Sequence, residues 1–356
     1  ISAVEDVVLP LYAAADQDAA DGGIREVTVA DALAEGVIGD PWIAYYLGIS
    51  KDWYARIGVD MDRFRYRQHL PGELSHYASD TWDAETEIAG DWVEVTGFAD
   101  RGSYDLEKHA EHSGEDYSVF RQYDEPRTVE RSTADPDMSY LGPEYGDRAT
   151  DIAEALSDLA DSDPAAFESD SVAVDVDGET HTVPVEATGF SAEEVTESGE
   201  HVTPTVIEPS FGIGRLVYTV LAHNHREDVV DGEERDYLSL PPAVAPTFVG
   251  VFPLMDRDGL ADRATDIADR LRDYGFPVAY DDAGSIGRRY RRQDEVGTPY
   301  CVTVDYDTLE ADTVTVRDRD TATQRRLRVD DLPAILGDLR AGERSFDSIG
   351  DPVDDD

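Results

Sequence analysis

The sequence predicts two folded parts in succession: a region of mixed strands and helices up to about residue 240, then a separate α/β domain. Three observations point there. Beyond Leu240-Pro241-Pro242-Ala243, apolar strand-like runs alternate with helical stripes. Upstream, Phe64-Arg65-Tyr66-Arg67-Gln68-His69 and Trp92-Val93-Glu94-Val95-Thr96-Gly97-Phe98 alternate with the two-residue period of strands. Between them, Val206 to Arg215 followed by the apolar run Leu216 to Leu221 reads as a buried strand, a tight turn and a helix start.

Each element follows from its own pattern. Residues Val27 to Gly48 predict a helix with its N-cap region at Thr28, closing on the apolar stretch Trp42 to Leu47. The strand at residues 92–98 is expected to place Trp92, Glu94 and Thr96 on one face and Val93 and Val95 on the other. Asp147 to Ala160 has helical spacing. Residues 161–199 are more acidic, with strand-like runs at Val172-Ala173-Val174 and His181-Thr182-Val183, and are expected to form an insertion or small subdomain. In the last domain, strands are expected at Thr247 to Leu254, Pro277 to Tyr280 and Tyr300 to Val304. Gly259 to Tyr274 is a helix with Leu260, Ala264, Ile267, Leu271 and Tyr274 along one stripe, and Ile286 to Val296 is another. Thr313 to Val316 and Arg325 to Val329 suit a hairpin.

The charge is the strongest compositional signal. The 356 residues carry 79 acidic against 30 basic side chains, a formal net charge of −49, yet 40% are hydrophobic, enough for a globular core. Lys51 and Lys108 are the only lysines, and acids run throughout, from Asp16 and Asp18 through Glu193 and Glu194 to Asp318, Asp320 and the tail Asp354-Asp355-Asp356. Dispersed carboxylates with few lysines suit concentrated salt, where the Debye length falls to about 3 Å at 1 M and repulsion is screened. A halophilic cytoplasm is therefore expected, with an acidic mimic of nucleic acid as the rival explanation. Cys301 is the single cysteine, which excludes an intrachain disulfide frame or multi-cysteine zinc site. No signal peptide and no apolar run of about 20 residues is present, so no membrane span is expected. A first residue of Ile1 rather than methionine suggests a processed chain or a fragment.

The turn at residues 206–215 concentrates chemistry. Glycines let a ligand approach backbone closely, and the first turn of a helix offers N–H groups and a positive dipole end to an anion. Glu208 suits an amino group, and Arg215 suits a phosphate or a stacked ring. An ordinary Gly-rich strand-to-helix turn is the competing reading.

Four spaced blocks then carry a resemblance. They are Phe64 to His69 with His76-Tyr77-Ala78 and Trp82-Asp83-Ala84-Glu85; Trp92-Val93-Glu94 with Gly97-Phe98-Ala99-Asp100-Arg101 and Tyr104-Asp105-Leu106; Val206 to Arg215; and Gly284-Ser285-Ile286-Gly287-Arg288-Arg289-Tyr290. In this order the chain resembles glycyl-tRNA synthetase of the archaeal and eukaryotic type, a class II aminoacyl-tRNA synthetase, from about Thr28 to about Phe346. The resemblance implies an α+β class II catalytic domain on an antiparallel sheet, incomplete here, over residues 1–240 with the insertion at 161–199, and an α/β anticodon-binding domain over 241–356. Of the three class II signature motifs only the third is found, so the chain is expected to be the C-terminal part of a synthetase, beginning after motif two and inactive by itself.

The implied activity is glycine–tRNA ligation: ATP and Mg²⁺ activate glycine to glycyl-adenylate, which passes to tRNA(Gly). By resemblance, Glu208 and Ser210 bind glycine, with Pro209, Phe211 and Gly212 shaping a shallow pocket that excludes a larger side chain. Arg215 binds ATP with Gly212, Ile213 and Gly214; Glu94 and Val95 lie against the nucleotide; Arg101 steadies the phosphate or activated carboxylate, or simply pairs with Asp100 or Asp105. Arg288, Arg289, Tyr290, Arg291 and Arg292 are the expected tRNA-binding set, by phosphate contact and base stacking, with a solvated basic helix face or a contact to the catalytic domain as alternatives. A homodimer is implied for the full-length protein. The pairs His109/His112 and His223/His225 lack a third ligand at a telling distance, so no metal site is expected. A non-catalytic tRNA-binding derivative of the synthetase and an acidic interaction protein remain as alternative functions.

Overall fold

The computed structural model describes residues 1–17, 19, 22–74, 79–230 and 232–353. The motif piece His76-Tyr77-Ala78, Asp18 and the acidic tail lie outside the described residues. Two compact units form, one from Ile1–Asp105 with Thr205–Asp356, the other from Leu106–Pro204.

The first unit opens with β1 (Val8–Tyr12), α1 (Ala14–Gln17), β2 (Arg25–Thr28), α2 (Val29–Ala34) and α3 (Pro41–Ile57). Thr28 caps α2 as expected, accepting from the Asp31 N–H at 3.1 Å. The single helix expected over Val27 to Gly48 is instead two. Gly36 adopts a positive φ of 69°, and Asp40 restarts the chain by accepting from the N–H groups of Trp42 (2.7 Å) and Ile43 (3.1 Å), with Pro41 in the first turn. An Asp-Pro pair is a new helix start, and the apolar stretch it begins runs on to Ile57.

Next come β3 (Phe64–Gln68), β4 (Asp80–Ile88) and β5 (Asp91–Asp100). After the second unit, β10 (Ile207–Phe211) and α7 (Ile213–Asn224) complete this half. The sheet has the order β10-β5-β4-β3-β1-β2 and is antiparallel except for β1 against β3. One face buries Leu9, Leu11, Tyr66, Trp82 and Phe98 against Ile43, Leu47 and Tyr54 of α3 and Leu216 of α7. Tyr54 Oη donates to Thr96 Oγ1 at 2.6 Å within that core.

Thr96 therefore lies on the core face, apart from Glu94, which corrects the expected alternation. Ala84 pairs with Thr96 but Glu85 pairs with Glu94, so Val95 is an extra residue in β5. Such a β-bulge leaves Val95 and Thr96 both buried and re-aims everything beyond it.

The second unit holds most of α4 (Tyr104–Ser113), then β6 (Val119–Thr133), α5 (Met138–Tyr145), α6 (Ala149–Ser162), β7 (Ser171–Val176), β8 (Glu179–Pro184) and β9 (Ser191–Val202). Strands β6 and β9 form a long antiparallel ribbon, β7 and β8 a hairpin at the expected positions. Ile152, Leu156 and Ala160 of α6 pack on Leu141, Phe167, Val172, Val174 and Val183. The unit is larger than the 161–199 insertion expected, because β6 and β9 are exposed along most of their length and carry no apolar alternation to betray them.

Returning to the first unit, β11 (His225–Val230) and β12 (Glu233–Leu238) make a hairpin. The last domain follows as β13 (Val249–Pro253), α8 (Leu260–Asp273), β14 (Val278–Tyr280), α9 (Ile286–Val296), β15 (Tyr300–Val304), α10 (Tyr306–Ala311), β16 (Thr313–Asp318), β17 (Gln324–Arg328), α11 (Leu332–Ala341) and β18 (Asp351–Pro352). Its sheet, β14-β13-β15-β16-β17-β18, is parallel at β14, β13 and β15 and antiparallel thereafter. The α8 stripe is buried through Leu271, but Tyr274 falls past the helix end and is exposed. An α+β unit on an antiparallel sheet followed by an α/β domain is the class expected. Among the described residues, no helix is long and apolar enough to cross a membrane.

Candidate functional site

The face of the first sheet opposite α3 and α7 is polar. Strand pairing sets Ser210 opposite Gly97, Gly97 opposite Asp83 and Asp83 opposite Arg67, with Glu208 opposite Ala99 and Glu85 opposite Arg65. Directly opposed residues share a face, so Glu208, Ser210, Asp83, Glu85, Arg65 and Arg67 rise from one surface, joined by Glu94 beyond the bulge.

These charges are organised in pairs. Arg101 Nη1 donates to Glu208 Oε2, and Arg101 Nε donates to Asp105 Oδ2 at 2.8 Å. The Glu208 hydrogen bond, then that of Asp105, holds the Arg101 guanidinium still more firmly in its charged form. Arg215 Nη1 donates to the Glu94 carbonyl at 2.9 Å and lies 3.2 Å from its carboxylate. Arg65 binds Glu85 at 2.7 Å while its guanidinium sits over Tyr12 (4.6 Å) and Trp92 (4.1 Å). His69 Nε2 lies 2.7 Å from Asp83 Oδ2, and this hydrogen bond is the main cause of a raised His69 pKa.

The turn between β10 and α7 divides its labour. A Cβ at Gly212 would lie 3.1 Å from the Val95 carbonyl, so this glycine is needed for close packing of backbone on backbone. That same carbonyl accepts from the Gly212 N–H at 2.8 Å. Val95 itself is fully buried, so neither its side chain nor its carbonyl faces a ligand, which corrects the expectation that Val95 lies against the nucleotide. A Cβ at Gly214 meets nothing within 4 Å. Gly212, the N-cap of α7, makes no side-chain cap hydrogen bond to the first turn.

The pocket expected from Pro209, Ser210, Phe211 and Gly212 together does not form. Pro209 and Phe211 pair with Phe98 and Thr96 and point to the core side, away from Glu208 and Ser210. There they line an apolar cavity of about 520 Å³ with Tyr46, Ile49, Trp53 and Ile213. Two-residue alternation along β10 separates the two sets.

Comparison with known proteins bears directly on this arrangement. Residues 249–339 match the family described as the anticodon binding domain. Over 355 residues, 99% of this chain and 60% of the relative, the chain is 44% identical to the glycine--tRNA ligase of Methanothrix thermoacetophila. It is 45% identical to that of Archaeoglobus fulgidus over 330 residues, 92% of this chain and 57% of the relative. The figures for Methanothermobacter thermautotrophicus are 43% over 339 residues, 95% and 59%.

The chain is a homologue of the archaeal glycine--tRNA ligases. It spans about 60% of the length of these curated relatives. The similarity to these relatives runs through both the region that holds the first sheet and the matched domain that starts at Val249 in β13.

In that domain the expected tRNA-binding set separates by orientation. Arg289 is 3% exposed and donates to the carbonyls of Pro253, Asp282 (2.9 Å) and Gly284 (2.7 Å). Tyr290 turns inward, its Oη 2.6 Å from Thr303 Oγ1, with burial pushing its pKa up to about 12. Arg289 is thereby corrected to a structural role, since a helix buries one side and exposes the other, while the half-buried Tyr290 also lines the polar cavity beside Arg288 and Arg291. Arg292 is more open and pairs with Asp281 at 2.5 Å. Arg288 and Arg291 line a polar cavity of about 650 Å³ with Ser285, Arg317 and Gln324. Behind it sits a network that sequence reading missed. Asp294, fully buried, accepts from Arg317 at 2.9 and 3.2 Å and from Arg235 at 3.2 Å. Arg235 also binds Asp228 and the Arg319 carbonyl, fastening the β11–β12 hairpin to the domain.

The histidine pairs separate too. His223 is buried, its Nδ1 accepting from the Asp60 N–H at 3.1 Å and its Nε2 donating to the Glu87 carbonyl at 3.0 Å; burial lowers its pKa. His225 instead meets Glu227 and Asp236 across the hairpin, the three exposed donor atoms lying within 4.8 Å of one another. Asp236 comes from the partner strand, which spacing along the sequence did not reveal. His109 and His112 lie exposed on α4.

Proposed function

We propose that this chain supplies the amino-acid and nucleotide grip of a glycine–tRNA ligase, with Glu208 and Ser210 binding glycine and Arg215 binding ATP. The observation that carries this reading is the gathering of Glu208, Ser210, Arg101, Glu94 and Arg215 on and beside one open sheet face, in a homologue of glycine--tRNA ligases.

The chemistry is positioning and charge neutralisation. Glu208 holds the glycine ammonium, and the Ser210 hydroxyl gives the bond direction. Arg101, already turned toward this face by Glu208, is placed to receive the glycine carboxylate or the α-phosphate it attacks. Arg215 and the N–H groups starting α7 receive the phosphate chain or stack on the adenine, with Gly214 leaving room. Mg²⁺ takes oxygen ligands, and Glu94, exposed and held by Arg215, fits it; when bound, the ion neutralises phosphate charge. The product passes to tRNA(Gly), contacted in the last domain through Arg288, Arg291 and Arg292. Residues 1–240, with the second unit inserted, and 241–356 are the corresponding catalytic and anticodon-binding divisions. We further assign the intact ligase to a salt-rich cytoplasm and to a homodimer.

Glycine-dependent ATP–pyrophosphate exchange by the intact ligase carrying this chain tests the reading. Glu208→Ala is expected to raise KM for glycine about 10- to 100-fold more than KM for ATP, and Arg215→Ala to show the reverse bias. Equal effects on both substrates would reverse the role assignment. Persistent absence of exchange, with tRNA binding retained, would favour a non-catalytic tRNA-binding protein.

A further inference from the structure

An α-ammonium group carries three N–H donors, and in a pocket that excludes water each needs an acceptor. Glu208 and Ser210 supply two. The row that runs across the sheet through Ser210 continues to Gly97 and then to Asp83. Adjacent strands lie about 4.8 Å apart, so a group resting on Gly97 has Ser210 on one side and Asp83 on the other.

Asp83 differs from the other carboxylates of this face. Glu208 is held by Arg101, Glu94 by Arg215 and Glu85 by Arg65. Asp83 is 8% exposed, and among the described residues its recorded charged partner is His69, at Oδ2. Its other oxygen, Oδ1, turns to the bare backbone of Gly97, 3.6 Å from where a Cβ would stand. Withdrawing a carboxylate from water is costly unless a cation meets it. Gly97 has no side chain to fill the space, and Glu94 Oε1 lies 4.0 Å from the same point.

We propose that Asp83 is a third acceptor for the substrate ammonium, closing the amino-acid pocket over Gly97 opposite Ser210 and Glu208. This rests on the reading of Glu208 and Ser210 as the glycine-binding pair. Asp83 also narrows the pocket, which suits the smallest amino acid. His69 is a positioning residue: its Nε2 fixes the Asp83 carboxylate so that Oδ1 faces the ligand.

Glycine-dependent exchange by the intact ligase separates the outcomes. Asp83→Asn is expected to raise KM for glycine about 10- to 100-fold while KM for ATP stays within about twofold. Gly97→Ala adds a methyl that makes only ordinary contact with Asp83 and so leaves the fold intact, yet it stands where the substrate rests. It is expected to raise KM for glycine as well, which keeps the idea open to refutation should Asp83→Asn fold poorly. His69→Gln is expected to raise it by about a tenth of the Asp83→Asn effect, again with KM for ATP unmoved. The proposal is overturned if Glu208→Ala raises KM for glycine while Asp83→Asn, or Gly97→Ala in its place, does not. If Glu208→Ala leaves it unchanged too, the glycine-site reading falls and the Asp83 role falls with it.

Discussion

Two groups of arginines stand in different physical situations. On the sheet face, Arg101 and Arg215 meet Glu208 and Glu94, whose side chains are 41% and 48% exposed. In and against the last domain, Arg235 of the β11–β12 hairpin and Arg317, Arg319 and Arg289 of the domain are each under 5% exposed and meet Asp294 or backbone carbonyls. The first pairs stand partly open to solvent. The second are fixed in the fold. In a chain with 30 basic against 79 acidic residues, an arginine's neighbours in space, not its neighbours in sequence, tell whether it is free to bind.

The sharpest way to break this comparison is to remove a carboxylate from each group. Asp294→Ala leaves Arg317 buried without its carboxylate and Arg235 with Asp228 alone, and is expected to cost about 3–5 kcal/mol of unfolding free energy by denaturant titration in high salt. Glu94→Ala frees an exposed arginine and is expected to change stability by about 0.5 kcal/mol or less. Similar losses would erase the distinction.

Within α9 the contrast falls between adjacent residues. Arg289→Ala is expected to cost about 2–3 kcal/mol in the same titration, since three carbonyls lose a charged donor. Arg288→Ala is expected to leave stability within about 0.5 kcal/mol but to weaken tRNA binding measured by filter retention. Reversed results would return Arg289 to the binding surface.

A smaller effect concerns the core side of the sheet. Tyr54→Phe removes the hydrogen bond to Thr96 at the bulge and is expected to cost about 1 kcal/mol.

The smallest effect is a pH dependence of opposite sign at two histidines. The His69 pKa is raised above its ordinary 6.5 by Asp83, so its contribution is complete below pH 6.5 and is lost as pH rises through the folded value. The His223 pKa is lowered by burial, so its contribution is complete above pH 6.5 and is lost as pH falls. Stability against pH should flatten on the alkaline side in His69→Gln and on the acid side in His223→Gln; the opposite assignment would contradict the hydrogen bonding described.

Much of this was legible in the residues. The strand–turn–helix order at 206–221 was readable because an apolar run, glycines and a helix stripe coincide, though β10 is a half-exposed edge strand and not the buried strand expected, and β15 and α9 have the bounds their patterns implied. The bulge at Val95 was not readable, because it depends on the register with β4. Nor was the second unit's true extent, because its ribbon is polar on both faces. The division of Pro209 and Phe211 from Glu208 and Ser210 was implicit in strand alternation once that segment was recognised as β10. Arg289 misled because a dense basic cluster on a helix says nothing of which side the helix buries.

The most direct test is the position of a non-hydrolysable glycyl-adenylate analogue in a crystal of the intact ligase. The account predicts its amino group against Glu208 and Ser210, with Arg215 on the adenosine or phosphate. An analogue seated on the other face, among Phe211, Trp53 and Ile213, or away from this sheet altogether, would contradict it.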